Sequence, residues 1–301
     1  MMSAEVKHIS VCICTYRRPV LLRRLLEALM VQTADAGFTY SIVVADNDGE
    51  RSAEEVAASF SGSAPVEIVY CWEPERNIAL ARNKAIENAS GDFIAFIDDD
   101  EFPVADWLVR LVAANKEYES AGVLGPVRPH FEEAPPAWII KGRFCERPEH
   151  PTGTVMPWTE CRTGNVLLRR TIFEEIGEPF NREFGTGGED KDFFLRMNER
   201  GHVFIWCNEA IAYETVPPSR WTRSYMLKRA LLRGRNTLKI SSGRVGSLAK
   251  SVAAIPLYSL VLPVAFCCGG HCFMKYLIKM CDHVGRLLAL LRLNPVNERQ
   301  M

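Results

Sequence analysis

Several features are missing from this 301-residue chain, and each absence removes a class of protein. The first apolar strand, Ile9-Ser10-Val11-Cys12-Ile13-Cys14, runs into Thr15-Tyr16-Arg17-Arg18-Pro19 with no glycine. That argues against the glycine-rich phosphate loop with which a nucleotidyltransferase of similar α/β build opens. There is no internal repeat and no low-complexity tract, so neither a solenoid nor a disordered tail is expected. Met1 to Ile9 holds Glu5 and Lys7 and therefore lacks an uninterrupted signal-peptide core, so a cytoplasmic chain is expected. The ten cysteines follow no paired framework and are expected as reduced thiols used in packing. Acid is almost missing from the last third: residues 217–301 carry 14 Lys+Arg against 2 Asp+Glu, whereas residues 1–216 carry 22 against 35. A domain boundary is expected there, giving units 1–216 and 217–301.

What is present begins as an alternation of strands and helices, the mark of an α/β protein with a parallel sheet. Pro19 opens a helix with Leu22, Leu25, Leu26 and Leu29 at helical spacing. Ser41–Ala45, Val66–Tyr70 and Phe93–Ile97 read as further strands, with helices near Ala53–Phe60 and over Ile78–Ala89, the latter closed by Gly91. Ligands of open α/β sheets sit beyond the carboxyl ends of the strands. Those ends carry Thr15-Tyr16-Arg17-Arg18, Asp46-Asn47-Asp48 and Asp98-Asp99-Asp100, so three polar clusters converge by topology. Arg128 to Pro157, rich in proline and aromatics, reads as one long ordered loop over that edge.

The run Asp98-Asp99-Asp100-Glu101 follows a fully apolar strand. On an extended segment Asp98 and Asp100 project to one side and Asp99 to the other. Two hard oxygen ligands aimed one way suit Mg²⁺ or Mn²⁺ and leave positions for phosphate oxygens; a solvated acidic turn is the plainer alternative. Gly187-Gly188-Glu189-Asp190 opens a helix, and Asp190 is a candidate general base. The same acids would also serve merely as a favourable helix N-terminus. Arg82, one turn inside a helix, contacts either a nucleotide or a surface partner such as Glu75 or Glu87. Thr163-Gly164-Asn165 is a polar turn of low specificity.

Taken together, Cys14-Thr15-Tyr16-Arg17-Arg18-Pro19, Ala45-Asp46-Asn47-Asp48, Ala81-Arg82-Asn83, Ile97-Asp98-Asp99-Asp100, Thr163-Gly164-Asn165 and Gly187-Gly188-Glu189-Asp190 resemble, in order and spacing over residues 8–215, the family 2 glycosyltransferases. Among these the chain is similar to bacterial exopolysaccharide enzymes of the succinoglycan type. The resemblance implies a GT-A fold, a Rossmann-like nucleotide-binding sheet, here with a C-terminal helical extension. It also implies an inverting transfer from a nucleotide-sugar, usually a UDP-sugar, by direct displacement. Carried over, Thr15, Tyr16, Arg18, Asp46, Asn77 and Arg82 would surround the nucleotide. Asp98 and Asp100 would hold a divalent metal, Mn or Mg, and the diphosphate; Asp190 would be the base and Glu189 its neighbour at the acceptor. Two positions depart from the pattern. Ala79 stands where the family often has glycine, and Glu214 stands where many members have a histidine metal ligand.

The basic third begins with nine Lys or Arg and no acid between Pro217 and Lys250, including Arg223, Arg233, Arg235 and Lys239 on an expected helix over Trp221–Ile240. Only Trp221 and Tyr225 could stack on bases there, so no nucleic-acid partner is expected. Ser251 to Gly270 is uncharged for the length of one membrane crossing but contains Pro256 and Pro263. It reads as a membrane-associating segment that spans, re-enters or lies at the interface, with a buried helix pair as the alternative. Leu287–Leu291 between Arg286 and Arg292 reads as an amphipathic tail. Cys267, Cys268, His271 and Cys272 suit packing better than tetrahedral zinc. The expected location is the cytoplasmic face of the inner membrane, and the resemblance suggests a glycan or polyprenyl-diphosphate-linked acceptor. Two alternatives stay open: a nucleotidyltransferase, and a non-catalytic membrane-bound nucleotide-sugar binding protein.

Overall fold

The chain begins as four apolar strands with intervening helices, the inner three largely buried on both faces and the third in chain order half-buried at the sheet edge. In the computed structural model these are β1 (His8–Thr15), α1 (Pro19–Met30), β2 (Thr39–Asp46), α2 (Glu54–Phe60), β3 (Ile68–Trp72), α3 (Ile78–Glu87) and β4 (Phe93–Phe96). There follow β5 (Glu101–Pro103), α4 (Trp107–Tyr118), β6 (Gly122–Leu124), β7 (Val127–His130), α5 (Ala137–Gly142), β8 (Val166–Arg169), α6 (Thr171–Glu174), α7 (Glu189–Glu199), β9 (Phe204–Trp206) and β10 (Ala212–Thr215). The chain closes with α8 (Arg223–Ile240), α9 (Arg244–Cys267) and α10 (Gly270–Leu290). The structure describes residues 8–33, 37–62, 66–240, 244–291 and 293. Two compact units result: Met1–Arg128 with Arg147–Glu214, and Pro129–Glu146 with Thr215–Met301.

In the first unit the sheet order is β3-β2-β1-β4-β8-β6-β9. β1 pairs in parallel with β2 and β4, and β2 with β3, whereas β8 runs antiparallel to β4 and β6. Thr15 lies in register with Asp46, so the polar ends of β1 and β2 share one edge with the end of β4, as the alternation implies. Pro19 supplies a fixed φ at the start of α1. The four leucines then bury completely against Ile9, Val11 and Ile13, each worth about 1.5–3 kcal/mol relative to exposure. The other face packs Cys12, Val43, Ile94 and Phe96 on Phe173, Phe180 and Phe193.

Several local readings change. Asp98 to Asp100 are not extended: the N–H of Glu101 donates to the Asp98 carbonyl at 3.0 Å, closing a turn. Glu101 then opens β5, which pairs antiparallel with β10 and sets Glu101 directly opposite Glu214. The proline-rich stretch is not one loop, since it contains α5 and divides at residue 147 between the units. α3 is ended by Asn88, three residues before Gly91.

In the second unit, Ile139, Val216, Trp221, Met226 and Met274 form a core of their own. Trp221 sits in a short 3-10 turn before α8, not within it. α10 packs against both α8 and α9. No side chain fits where α8 and α10 meet: a Cβ on Gly285 would lie 2.2 Å from the Leu231 carbonyl oxygen, and one on Gly234 would lie 2.0 Å from that of Asp282. Arg233 donates twice to Asp282 beside this contact, at 2.8 and 2.7 Å. The expected amphipathic tail is the last turn of α10. Arg292 and the side chain of Lys239 lie outside the described residues. All ten cysteines are free thiols.

Candidate active site

Arg82 is the centre of the first unit's polar edge. It projects from α3 and is buried to 7% exposure. One guanidinium nitrogen contacts Glu189 of α7 and the other lies 3.5 Å from Asp98 Oδ1 in the turn after β4. The surface alternative is therefore wrong: Glu75 pairs with Arg182 at 3.2 Å and Glu87 with Lys84 at 3.3 Å. A guanidinium buried this deeply needs the two carboxylates, because an unpaired charge away from water is strongly disfavoured.

The α7 terminus is built by Gly187 and Gly188, at φ +116° and +101°, where L side chains are strained. Glu189 behind them is buried and turned to Arg82, whereas Asp190 is only half-buried and accepts the Lys191 N–H at Oδ1, 2.7 Å. Burial pushes the Glu189 carboxyl up to about 7, with Arg82 pulling it down and Asp190 pushing it further up. The two neighbouring acids are thus unlike: one is committed to an internal cation, the other is half-buried and held by a backbone N–H.

The turn divides its acids by partner. Thr15 donates to Asp99 Oδ2 at 2.8 Å, and Arg18 donates to Asp99 Oδ1 at 2.8 Å and to Asp100 Oδ2 at 3.2 Å. Asp99, which strand alternation turns away, is hence the acid most tightly held by β1 and its following loop. Burial raises it from 3.8 to about 6, against the pull of Arg18. A folded-state pKa above the unfolded one means that this group favours folding below about pH 4 and that its contribution is lost as pH rises through 6. Asp99→Asn is therefore expected to gain stability over the parent at pH 8 by up to about 2–3 kcal/mol, with the gain vanishing near pH 4. Thermal melts across that range check it, and a pH-independent difference would refute it.

Other expected nucleotide contacts are occupied by the protein. Asp46, with no exposed surface, accepts from the Asp48 N–H (3.0 Å), the Ala53 N–H (2.7 Å) and the Tyr70 hydroxyl (3.2 Å), and so holds the loop after β2. Asn77 caps α3, its Oδ1 accepting from Ala79 and Leu80, while its amide donates to the Arg182 carbonyl at 2.9 Å. Tyr16 lies beneath the guanidinium of Arg76, 4.5 Å from its ring centroid.

Two contributors were not expected. Glu101 is buried, and Arg147 lies between it (3.7 Å) and Glu214 (2.6 Å), offsetting two like charges set opposite each other across β5 and β10. Nothing local in Arg147's proline-rich surroundings marks it; the fourth consecutive acid was the available signal for Glu101.

A family comparison follows from this geometry. The model of glycosyl transferase family 2 matches residues 10–177. The chain belongs to that family. It is similar to the succinoglycan biosynthesis protein ExoM of Rhizobium meliloti, with 38% identity over 78% of this chain and 75% of that protein. It is also similar to glycosyltransferase AglE of Haloferax volcanii, at 24% identity over 97% and 99% of the two chains. The S. aureus TarS fragment 1–349 in complex with UDP superposes with a TM-score of 0.54 at 18% identity, covering 79% of this chain and 68% of that one. That likeness shows the fold, the GT-A α/β arrangement.

Many family 2 glycosyltransferases use a divalent metal, and the residues present can be tested for it. A Cβ on Gly164 would meet Glu101 Oε1 at 2.8 Å, Asp98 Oδ2 at 3.0 Å and Glu101 Oε2 at 3.3 Å, so two carboxylates crowd one point that only glycine leaves open. Glu101 Oε1 is buried and has no hydrogen-bond donor. This donor set fits a hard cation. Among the described residues no three His, Cys, Asp or Glu side chains converge as a cage. A cation here would therefore complete its shell with water or phosphate oxygens.

Proposed function

We propose that this family 2 glycosyltransferase moves a sugar from a UDP-sugar, with inversion, onto a glycan or polyprenyl-diphosphate-linked acceptor at the cytoplasmic face of the inner membrane, in bacterial polysaccharide assembly. The observation that carries this reading is the buried Arg82, which joins the Glu189-Asp190 pair to Asp98. In this reading that contact would hold the acceptor side and the diphosphate side of a displacement together. The name of the Rhizobium relative and the UDP bound to TarS support the polysaccharide and UDP parts.

Asp190 would take the proton of the acceptor hydroxyl as that oxygen forms its bond to the anomeric carbon. The bond from that carbon to the diphosphate oxygen breaks on the opposite face, which inverts the centre, and the nucleoside diphosphate leaves. A divalent metal, when bound, offsets the charge growing on that leaving group. Asp98 and Glu101 would hold it; Asp100 and Glu214, paired with Arg18 and Arg147, would join by giving up those cations. The stretch of α9 from Ser251 onward, which carries no charge, and the basic residues around it support the membrane location.

The test is a panel of labelled nucleotide-sugars offered with a membrane lipid fraction, with Mn²⁺, Mg²⁺ or chelator. Metal-stimulated transfer from a UDP-sugar, giving a product of inverted anomeric configuration, is expected. Pyrophosphate release from a nucleoside triphosphate would favour a nucleotidyltransferase, and binding without turnover would favour a silent binding protein.

A further inference from the structure

We propose that α9 lies flat in the headgroup layer of an anionic bilayer and does not cross it, an inference that rests on the membrane location above. Length and composition alone allow a crossing: Leu248–Cys267 has 20 residues and a mean hydropathy of 1.6. The packing opposes it. α9 and α10 are antiparallel and in contact along their length, through Phe266 with Phe273 (5.7 Å), Tyr258 with Tyr276 (6.2 Å) and Ser251 Oγ with His283 Nδ1 (3.1 Å). α10 in turn packs on α8 at the Gly234 and Gly285 contacts. Upright insertion of α9 would therefore drag Lys275, Lys279, Asp282 and Arg286 of α10, and Arg223, Lys228, Arg229 and Arg233 of α8, into hydrocarbon. Charges at that depth are disfavoured one by one.

The exposed surface of α9 has the form an in-plane helix needs. Val252, Leu257, Leu260 and Val264 are 61%, 59%, 76% and 65% exposed, and their spacing of three to five residues follows one side of the helix. Pro256 and Pro263 lie between them. Each proline leaves the carbonyl four residues earlier, at Val252 and Ser259, without its helical donor. In hydrocarbon such carbonyls need a substitute donor from a neighbouring helix, side chain or ordered water, whereas at the interface bulk water supplies it. Lys279 sits over Tyr276, the ring facing Tyr258 of α9, with its ammonium 5.8 Å from the centroid. That places a cation on the α10 side of the helix pair, away from the strip that would enter the bilayer, as an in-plane arrangement requires. The strong excess of Lys and Arg over acid in residues 217–301 favours an anionic bilayer.

The experiment uses the full chain bearing a nitroxide on a genetically encoded amino acid at position 252, 260 or 264, mixed with phosphatidylglycerol–phosphatidylcholine vesicles. Co-sedimentation, with the three probes at one depth to within about 5 Å, is the expected result. Co-sedimentation with depths graded over about 18 Å, the rise of twelve helical residues, would overturn the flat arrangement while leaving the membrane location intact. Absence of co-sedimentation would overturn both. Probes shielded from lipid-soluble relaxing agents, in a chain that elutes as a dimer, would assign the strip to a second copy instead. Leu260→Lys is expected to weaken vesicle binding at least tenfold without changing elution volume; unchanged binding would also sink the proposal.

Discussion

Asp190→Asn is expected to reduce sugar transfer by roughly 10²–10⁴-fold while donor affinity, measured by titration with the nucleotide-sugar, stays within about threefold of the parent. Asparagine keeps the size of the side chain and the acceptor oxygen that takes the Lys191 N–H, so α7 should keep its terminus. What is lost is the capacity to remove a proton. The neighbouring Glu189 is the competing candidate, because burial brings its carboxyl to about 7, a value suited to a base at neutral pH. Its Oε1 is engaged by Arg82, however, and its Oε2 is buried without a donor, so no acceptor hydroxyl reaches it without disturbing that pair. The pH profile separates the two. An acid limb of kcat centred near 7 that disappears in Glu189→Gln would transfer the role to Glu189. A fall in donor affinity with unchanged turnover in Asp190→Asn would remove Asp190 from the chemistry.

The largest stability effect is expected at Arg82. Arg82→Met keeps the length and apolar stem but leaves Glu189 buried beside Asp98 and Asp190 with no counter-charge, an arrangement that costs about 3–5 kcal/mol. Part of that loss is avoided at low pH, since Glu189 can take a proton; a carboxyl already raised to about 7 rises further once the guanidinium is gone. The destabilisation should therefore be largest above neutrality and smaller near pH 5. Combining Arg82→Met with Glu189→Gln should recover most of the stability and none of the activity. Denaturant melts at pH 5.5 and 8 decide it. A single variant as stable as the double at both pH values would mean that the pair is not the strut inferred from its burial.

These two experiments bear on residues that local pattern identified unevenly. The leucine spacing of α1, the alternation of strand and helix, and the polar ends of β1, β2 and β4 were readable because period and topology are short-range properties of the chain. The turn at Asp98–Asp100 was not. An apolar strand followed by acids looks extended until a backbone bond from Glu101 to the Asp98 carbonyl closes it, and the strand that Glu101 then opens pairs with β10, more than a hundred residues later. Arg147 escaped for a similar reason, because its importance comes from two glutamates that are distant in sequence and adjacent only in the antiparallel pair.

By itself, then, the order of residues determined the family, the α/β class, the edge on which the chemistry gathers and the asymmetry of charge between the two ends, since each is written in composition, period or motif spacing. Tertiary structure decided which acid meets which cation. It took Asp46 and Asn77 into loop scaffolding, drew Asp99 to Thr15 and Arg18, buried Arg82 between Glu189 and Asp98, and laid α10, with its charges, along the otherwise membrane-length α9. Partners of this kind are selected by burial and the need to pair charges away from water, and both exist only once distant segments have come together.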